Sequence, residues 1–117
     1  MTTVNLSAQS GKTVLITRPA ARIVEPAMRA EFDDGEITLN TDGILRIGVS
    51  FFDEALLIFN EIIEETGRDD LRLVYRKAPT MESLKNLVNN RGLTVSETAD
   101  GDWVISRPAG SYDAKPD

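Results

Sequence analysis

Ser50 is followed at short range by the carboxylates Asp53 and Glu54, and these side-chain types at this spacing support two kinds of chemistry. A serine three residues before an acid is typical of a helix N-cap. The hydroxyl accepts a hydrogen bond from a first-turn amide, and the acid reaches back to the serine's own amide. Alternatively, the hydroxyl accepts a phosphoryl group, because the free amides and the positive end of a helix favour an anion. Both interpretations require a helix that begins at Ser50.

The sequence contains few other residues of the types that catalyse reactions. The chain has no cysteine and no histidine, which removes thiolate nucleophiles, the commonest general base and the commonest zinc ligands. Adjacent Asp53 and Glu54 point in different directions on a helix, and acids near a helix start are expected for electrostatic reasons alone. The acidic stretches 33–36 and 69–70 lack the alternating ligands of a calcium loop. The sequence therefore predicts no enzyme activity, no metal and no cofactor, and favours a binding module.

Composition and charge narrow the class of protein further. A chain of 117 residues that is 41% hydrophobic can form one domain with a substantial core. Its formal net charge of -6 argues against nucleic-acid binding, which relies on basic patches. No apolar run reaches the roughly 18 residues of a membrane span, and residues 1–12 lack the apolar core of a signal peptide. We therefore expect a cytoplasmic protein that does not bind membranes.

Hydrophobic periodicity and turn residues predict the elements that position these side chains. β-Branched or alternating runs predict strands, stripes at helical spacing predict helices, and Asp-Gly pairs predict tight turns. The predicted order is a strand at 13–17, a helix at 19–33, a strand at 36–40 followed by a short strand or extended link at 44–48, a helix at 51–65, a central strand at 71–75, a helix from Thr80 to a stop at Gly92, and a hairpin of 93–97 with 102–106.

The helix at 19–33 is the least regular of these elements. Pro26 lies in its interior and removes a backbone donor, so the helix is predicted to be bent or to start later. Its predicted apolar stripe consists of Ile23, Ala27 and Ala30, and the spacing leaves open whether Val24 and Met28 belong to it as well.

The alternation of strands and helices predicts an α/β fold, because each helix has one apolar stripe to bury against a sheet. We expect a mixed β-sheet covered by about three helices, with the C-terminal β-hairpin making the sheet mixed. The domain is predicted to span 13–108. Flexible tails are predicted at 1–12 and 109–117, where the composition is polar or unlikely to pack.

Residues 37–56, ITLNTDGILRIGVSFFDEAL, resemble the signature of the STAS-like family of bacterial domains, distant relatives of the anti-sigma-factor antagonists. In that signature a hydrophobic strand ending in Asp is followed by a Gly-hydrophobic pair, and then by Ser-Phe and Asp-Glu at the start of a helix. The pairs at 43–44, 50–51 and 53–54 match these positions without a gap. The resemblance implies a STAS-like fold.

The chain also departs from this signature. Asn40 stands where the family has its strand-end aspartate, and Phe52 is bulkier than the usual residue. Antagonists carry Asp-Ser-Ser-Gly at the helix start, with a serine that the anti-sigma kinase phosphorylates. Aligned on the helix, this chain has Gly48 at the first of those positions, so only Ser50 corresponds to the phosphoacceptor and its preceding acid is missing.

The resemblance implies a small regulatory module for protein–protein interaction, which binds through the surface around the N-terminus of the helix at 51–65. The implied partner is a histidine-kinase-like ATPase or an anti-sigma factor. The candidate residues for partner binding or phosphorylation are Ser50, Asp53, Glu54, Asn40 and Gly48. The rival hypothesis is a structural or assembly domain that forms a homodimer and has no switching serine.

Overall fold

The computed structural model describes residues 3–30, 32–33, 35–76 and 82–108. These residues form strands and helices in the order β1 (Val4–Asn5), α1 (Leu6–Ser10), β2 (Val14–Leu15), α2 (Arg18–Ala30), β3 (Phe32–Asp33), β4 (Glu36–Asn40), β5 (Arg46–Ile47), α3 (Val49–Thr66), β6 (Arg72–Arg76), α4 (Glu82–Asn90), β7 (Thr94–Glu97) and β8 (Trp103–Ser106). None of the helices in these ranges is long and apolar enough to cross a membrane.

The main sheet is mixed, as the sequence predicts. Its strand order is β1-β4-β6-β8-β7, and β3 pairs with β4 off this path. Strands β1, β4 and β6 are parallel, whereas the hairpin β7–β8 adds antiparallel strands beside β6. Strand β6 therefore lies at the centre, as expected for its apolar sequence. A separate parallel pair, β2 with β5, lies outside this sheet.

The core lies between one face of the sheet and the helices. The buried side chains of that face include Ile37, Leu39, Leu73, Tyr75, Trp103 and Ile105. Phe52 of α3 packs against Tyr75 and Trp103, with ring centroids 5.2 and 6.0 Å apart respectively. Aromatic contacts of this kind contribute packing energy beyond the area they bury. The predicted α/β architecture and C-terminal hairpin are confirmed, with four helices among the described residues instead of about three.

Residues 4–10 differ from the expectation of a flexible tail. Val4 pairs in parallel with Leu39 at the edge of the sheet, and Leu6 begins α1. Both apolar side chains are fully buried in the core. Two isolated apolar residues in a polar stretch give little periodicity, so only these long-range contacts reveal the segment as part of the domain. The predicted tail at 109–117 lies outside the described residues.

Helix α2 also corrects the predicted stripe. It spans Arg18–Ala30 with Pro26 inside, and the hydroxyl of Thr17 accepts a hydrogen bond from the amide of Ala20, as an N-cap does. Ile23 is half exposed and Ala30 is exposed. Val24 and Met28 are buried and Ala27 packs partly buried against the core, while Ala20 and Ala21 extend the buried face one step around the helix. Spacing alone could not choose between these adjacent faces.

The helix predicted at 19–33 ends early, at Ala30, and Phe32–Asp33 form β3 against β4 instead. The C-terminal elements agree with the predictions. Leu84 and Val88 of α4 are buried, and the helix ends in a left-handed Gly92 at φ 75°. The amide of Leu93 then donates to the carbonyl of Val88, which gives the six-to-one bond of a Schellman motif. The predicted start of this helix at Thr80 lies outside the described residues.

Candidate functional site

The start of α3 differs from the Ser50 cap expected from sequence. The helix begins at Val49, and Gly48 is the N-cap residue without a side-chain cap. Strand β2 and the residue after it supply backbone acceptors instead: Gly48 N donates to the carbonyl of Leu15 at 2.7 Å, and Phe51 N donates to the carbonyl of Ile16 at 3.0 Å. With Gly48 as N-cap, the carbonyl of Ile16 thus satisfies the first-turn amide of Phe51, which an N-cap side chain would otherwise bind.

Gly48 lies where the chain at Ile16 approaches the start of α3 closely. A Cβ atom at position 48 would lie 3.0 Å from Cγ2 of Ile16 and 3.2 Å from its Cα, and the second of these is a backbone atom. The glycine is therefore a packing residue that lets β2 reach the helix start. This role explains Gly48 without any contact to a ligand.

Ser50 is the second residue of α3, and its prediction as the N-cap is wrong. Its side chain is half-buried, and its hydroxyl makes no hydrogen bond with any residue in the described part of the chain. The amide of Phe51 already donates to Ile16, so the set of free amides expected for a phosphoryl group is smaller than the sequence suggests. Phosphorylation at Ser50 itself stays a prediction.

Asp53 lies beyond the first turn of α3 and is buried, at 6% relative exposure. Arg91, which follows α4, binds its carboxylate through two hydrogen bonds of 2.8 and 2.7 Å, and Arg18 of α2 adds a third at 3.0 Å. The hydrogen bonds from Arg91, and then those from Arg18, outweigh burial and lower the pKa of Asp53. Asp53 therefore remains ionised and joins α3 to two other parts of the fold.

Glu54 is buried beside Asp53 and belongs to the same cluster. It accepts a 2.6 Å hydrogen bond from Nε of Arg22 and a 3.1 Å bond from Nη1 of Arg18. Arg18 thus bridges both carboxylates, although adjacent helix positions were expected to point apart. The prediction that these acids serve only the electrostatics of the first turn is wrong, because each is held by arginines from elsewhere in the fold.

The ion-pair cluster continues between α2 and α3. Arg22 also pairs with Glu25 and Glu61, and Arg29 pairs with Glu25, Glu61 and Glu65. The spacing of Arg18, Arg22 and Arg29 on one helical face was a signal that sequence analysis missed. Arg91 carried no such signal, since it reaches Asp53 from 38 residues away. These ion pairs join α2 to α3, and the buried carboxylates of Asp53 and Glu54 are both paired with arginines.

Asn40 lies at the carboxyl end of β4. Its Oδ1 accepts a 3.1 Å hydrogen bond from the amide of Asp42, which begins the predicted Asp42-Gly43 turn. Gly43 has a φ of 83°, a conformation that favours glycine. Among the described residues, no hydrogen bond or ion pair joins Asn40 to Ser50, Asp53 or Glu54. Direct contacts in the described ranges thus link Asp53 with Glu54 through Arg18 but do not link Asn40 with them.

Exposed apolar side chains occur in the segments that meet at the start of α3. Among the described residues, five large apolar side chains are exposed, and four of them lie in these segments. Val14 in β2 is 39% exposed, and Ile16, directly after β2, is 42% exposed. Leu45, directly before β5, is 81% exposed, and Val49, the first residue of α3, is 49% exposed. Ile16 lies against Gly48, and Leu45 N donates to the carbonyl of Thr13. We call these four residues the β2–α3 surface. Sequence analysis expected partner binding around the start of α3 and named none of these four residues.

Two basic side chains border the β2–α3 surface. Arg46 is paired in register with Val14 and is exposed, and Lys12 precedes β2 by two residues. In the described ranges, neither cation has an ion pair or side-chain hydrogen bond. The chain as a whole is acidic, so this local surface is apolar with a positive border.

Comparison of the chain with family models, with curated proteins and with solved structures finds no match in any of the three. The site must therefore be interpreted from its own geometry.

Proposed function

We propose that this protein is a small regulatory interaction module that works in the cytoplasm and binds a second protein through the β2–α3 surface. The observation that carries the proposal is the concentration of exposed apolar side chains around the start of α3. Clusters of this kind on a folded domain commonly mark interaction sites, whereas isolated exposed apolar residues need no explanation. The amides of Gly48 and Phe51 donate to the carbonyls of Leu15 and Ile16, and these backbone bonds join the segments of the surface before a partner binds.

The charges at the border indicate the chemistry of that partner. Arg46 and Lys12 lie beside the apolar side chains and have no ion partner in the part of the chain that the structure describes. A complementary protein surface would present apolar side chains with acidic residues around them. Electrostatic complementarity of this kind speeds association and orients the complex. We therefore expect the complex to weaken as salt is added.

The resemblance of residues 37–56 to STAS-like domains supports the same interpretation. It implies a histidine-kinase-like ATPase or an anti-sigma factor as the partner, and binding near Ser50. The resemblance implies contact near Ser50, and the β2–α3 surface includes Val49, which immediately precedes Ser50. In this account, Ser50 contributes through its position beside the surface and not as a helix cap.

A homodimer through the same surface is the alternative. A two-fold symmetric contact would place the same positively bordered patch of both subunits face to face. Like charges brought together in this way oppose association. This argument favours a different protein as the partner over a second copy of the chain.

A matched pair of substitutions tests the proposal. Val49 and Ile23 are exposed to nearly the same extent, 49% and 50%, but only Val49 belongs to the β2–α3 surface. Val49→Glu places an acid in the first turn of α3, which the helix dipole tolerates. Ile23→Glu is the control on α2. Each protein is used to capture partners from lysate of the source cell, and each captured protein is then purified and its binding measured.

We expect a protein captured by the parent chain and by Ile23→Glu to be lost with Val49→Glu, and to bind the purified parent directly. Equal capture by both variants would overturn the proposal. Sedimentation velocity separates the alternative: concentration-dependent dimerisation that Val49→Glu abolishes would assign the surface to assembly instead.

A further inference from the structure

Three polar residues form a row at the carboxyl ends of the parallel strands. Asn5 pairs in register with Asn40, and Asn40 pairs with Arg76. Residues paired in register project from the same face of a sheet, and neighbouring strands lie about 4.8 Å apart. The three side chains thus lie on the sheet face opposite the core residues Leu39 and Tyr75, which precede Asn40 and Arg76.

The hydrogen bonds of the two asparagines leave their donor groups available. Oδ1 of Asn5 accepts from the hydroxyl of Ser7, and Oδ1 of Asn40 accepts from the amide of Asp42, each at 3.1 Å. Neither Nδ2 donates to any residue that the structure describes. Each amide oxygen uses one of its two lone pairs in these bonds, whereas the two N–H donors of each Nδ2 are uncommitted among the described residues.

Arg76 adds a cation to the same row. Its side chain is exposed and has no ion pair or hydrogen bond within the described residues. Arg72, which projects from the same face of β6, is different because it pairs with Glu36 at 2.9 Å. Arg76 is therefore the cation on this strand that remains available, and the guanidinium group suits the oxygens of an anion.

The local loops hold the row in place. The turn after β4 lies against α1, since a Cβ atom at Gly43 would be 3.4 Å from Oγ of Ser7. The hydroxyl of Thr41 donates to the carbonyl of Arg76 at 2.6 Å, which joins the ends of β4 and β6. Carboxyl ends of parallel strands are also where open α/β sheets commonly bind ligands.

We propose that the row formed by Asn5, Asn40 and Arg76 binds an oxyanion, the phosphate or carboxylate group of a ligand. An anion above Asn40 lies one strand spacing from each flanking residue, within reach of both amide groups and the long arginine side chain. The exposed carboxylate of Asp42 is the nearby group that opposes an anion. This inference uses residues outside the β2–α3 surface and does not depend on the proposed function.

An NMR titration of the full chain tests this site. The side-chain amide signals of Asn5 and Asn40 are followed during addition of sodium phosphate, then of sodium acetate, each against sodium chloride at equal ionic strength. We expect saturable shifts with phosphate or acetate that chloride does not produce. The anion that binds more tightly identifies the group as tetrahedral phosphate or planar carboxylate.

Three variants make the assignment specific. Arg76→Gln removes the cation, and Asn40→Asp keeps the acceptor for the Asp42 amide while removing the donor. Each should weaken binding at least tenfold, about 1.4 kcal/mol, without lowering the melting temperature. Arg72→Gln is the control of equal charge on the same strand and should stay within about twofold of the parent. Shifts that do not saturate, or equal losses in Arg72→Gln and Arg76→Gln, would overturn the proposal.

Discussion

Helix α3 borders two regions that are built differently. On its acidic side, every carboxylate of the helix pairs with an arginine: Asp53, Glu54, Glu61, Glu64 and Glu65. At its start, Val49 is half exposed and the neighbouring Arg46 has no ion partner among the described residues. In the first region the carboxylates are satisfied by ion pairs within the fold. In the second region the exposed apolar side chain and the cation have no such partner among the described residues, and this difference is the reason to interpret the start of α3 as a binding surface.

The largest expected effect comes from the core on which both regions rest. Phe59 of α3 and Leu73 of β6 are fully buried. Phe59→Ala and Leu73→Ala should each lower the free energy of unfolding by about 2 to 5 kcal/mol, because each leaves a cavity between sheet and helix. Urea denaturation measures this, with the exposed Leu45→Ala as the control. A loss below about 1 kcal/mol at both buried positions would contradict the packing described.

The N-terminal segment should behave as part of that core. Leu6→Ala should cost about 2 to 4 kcal/mol, since Leu6 is fully buried. Gln9→Ala in the same short helix is the control and should change stability by less than about 0.5 kcal/mol. If both variants unfold like the parent in urea, residues 4–10 are a tail after all.

The paired region should show a pH dependence that the open region lacks. Asp53→Asn should cost about 2 kcal/mol near neutral pH, because Arg91 and Arg18 lose a buried carboxylate partner. The folded-state pKa of Asp53 is lowered, so its contribution is present above the ordinary value of about 3.9 and is lost as pH falls through the lowered pKa.

The measurement is urea denaturation of the parent and Asp53→Asn between pH 7 and pH 2. The difference between them should be largest above about pH 5 and should shrink at the acid end. Asp42→Asn, at an exposed turn, supplies the comparison and should follow the parent throughout. A difference for Asp53→Asn that is independent of pH would contradict the ion-pair account.

The smallest loss of stability is expected for a substitution at Ser50, and a substitution at Gly48 provides the comparison. Gly48→Ala should cost about 1 to 3 kcal/mol because the new methyl group meets Ile16. Ser50→Ala should cost less than about 0.5 kcal/mol, whereas loss of a true cap costs about 1 kcal/mol. Thermal denaturation of the two variants decides this. A reversed order would restore Ser50 as the residue that starts the helix.

Local patterns predicted most of the fold because the strand and helix periodicities extended over enough residues to be unambiguous. The apolar face of α3, the alternation in β4 and the Asp100-Gly101 turn of the hairpin each had a short-range signal. The start of α3 was mispredicted although its sequence pattern for a cap was good. Strand β2 and the residue after it, more than 30 residues earlier, supply backbone acceptors instead. A local pattern cannot reveal a partner of that kind.

For the candidate site, too, the sequence indicated the local features and missed the contacts between distant segments. The sequence directed attention to the start of α3, and the exposed side chains there belong to two segments that come together only in the folded chain, β2 and the residues from Leu45 to Val49. Asp53 was singled out, but its partner Arg91 lies 38 residues away. Its burial and ion pairs therefore could not be foreseen from neighbouring residues.

The most direct test of the central claim is the dissociation constant of the captured partner, measured by calorimetry with the parent, Val49→Glu and Ile23→Glu. The account predicts that Val49→Glu binds at least tenfold more weakly, a loss of about 1.4 kcal/mol, while Ile23→Glu stays within about twofold of the parent. Equal affinities for all three proteins would contradict the claim that the β2–α3 surface is the binding site.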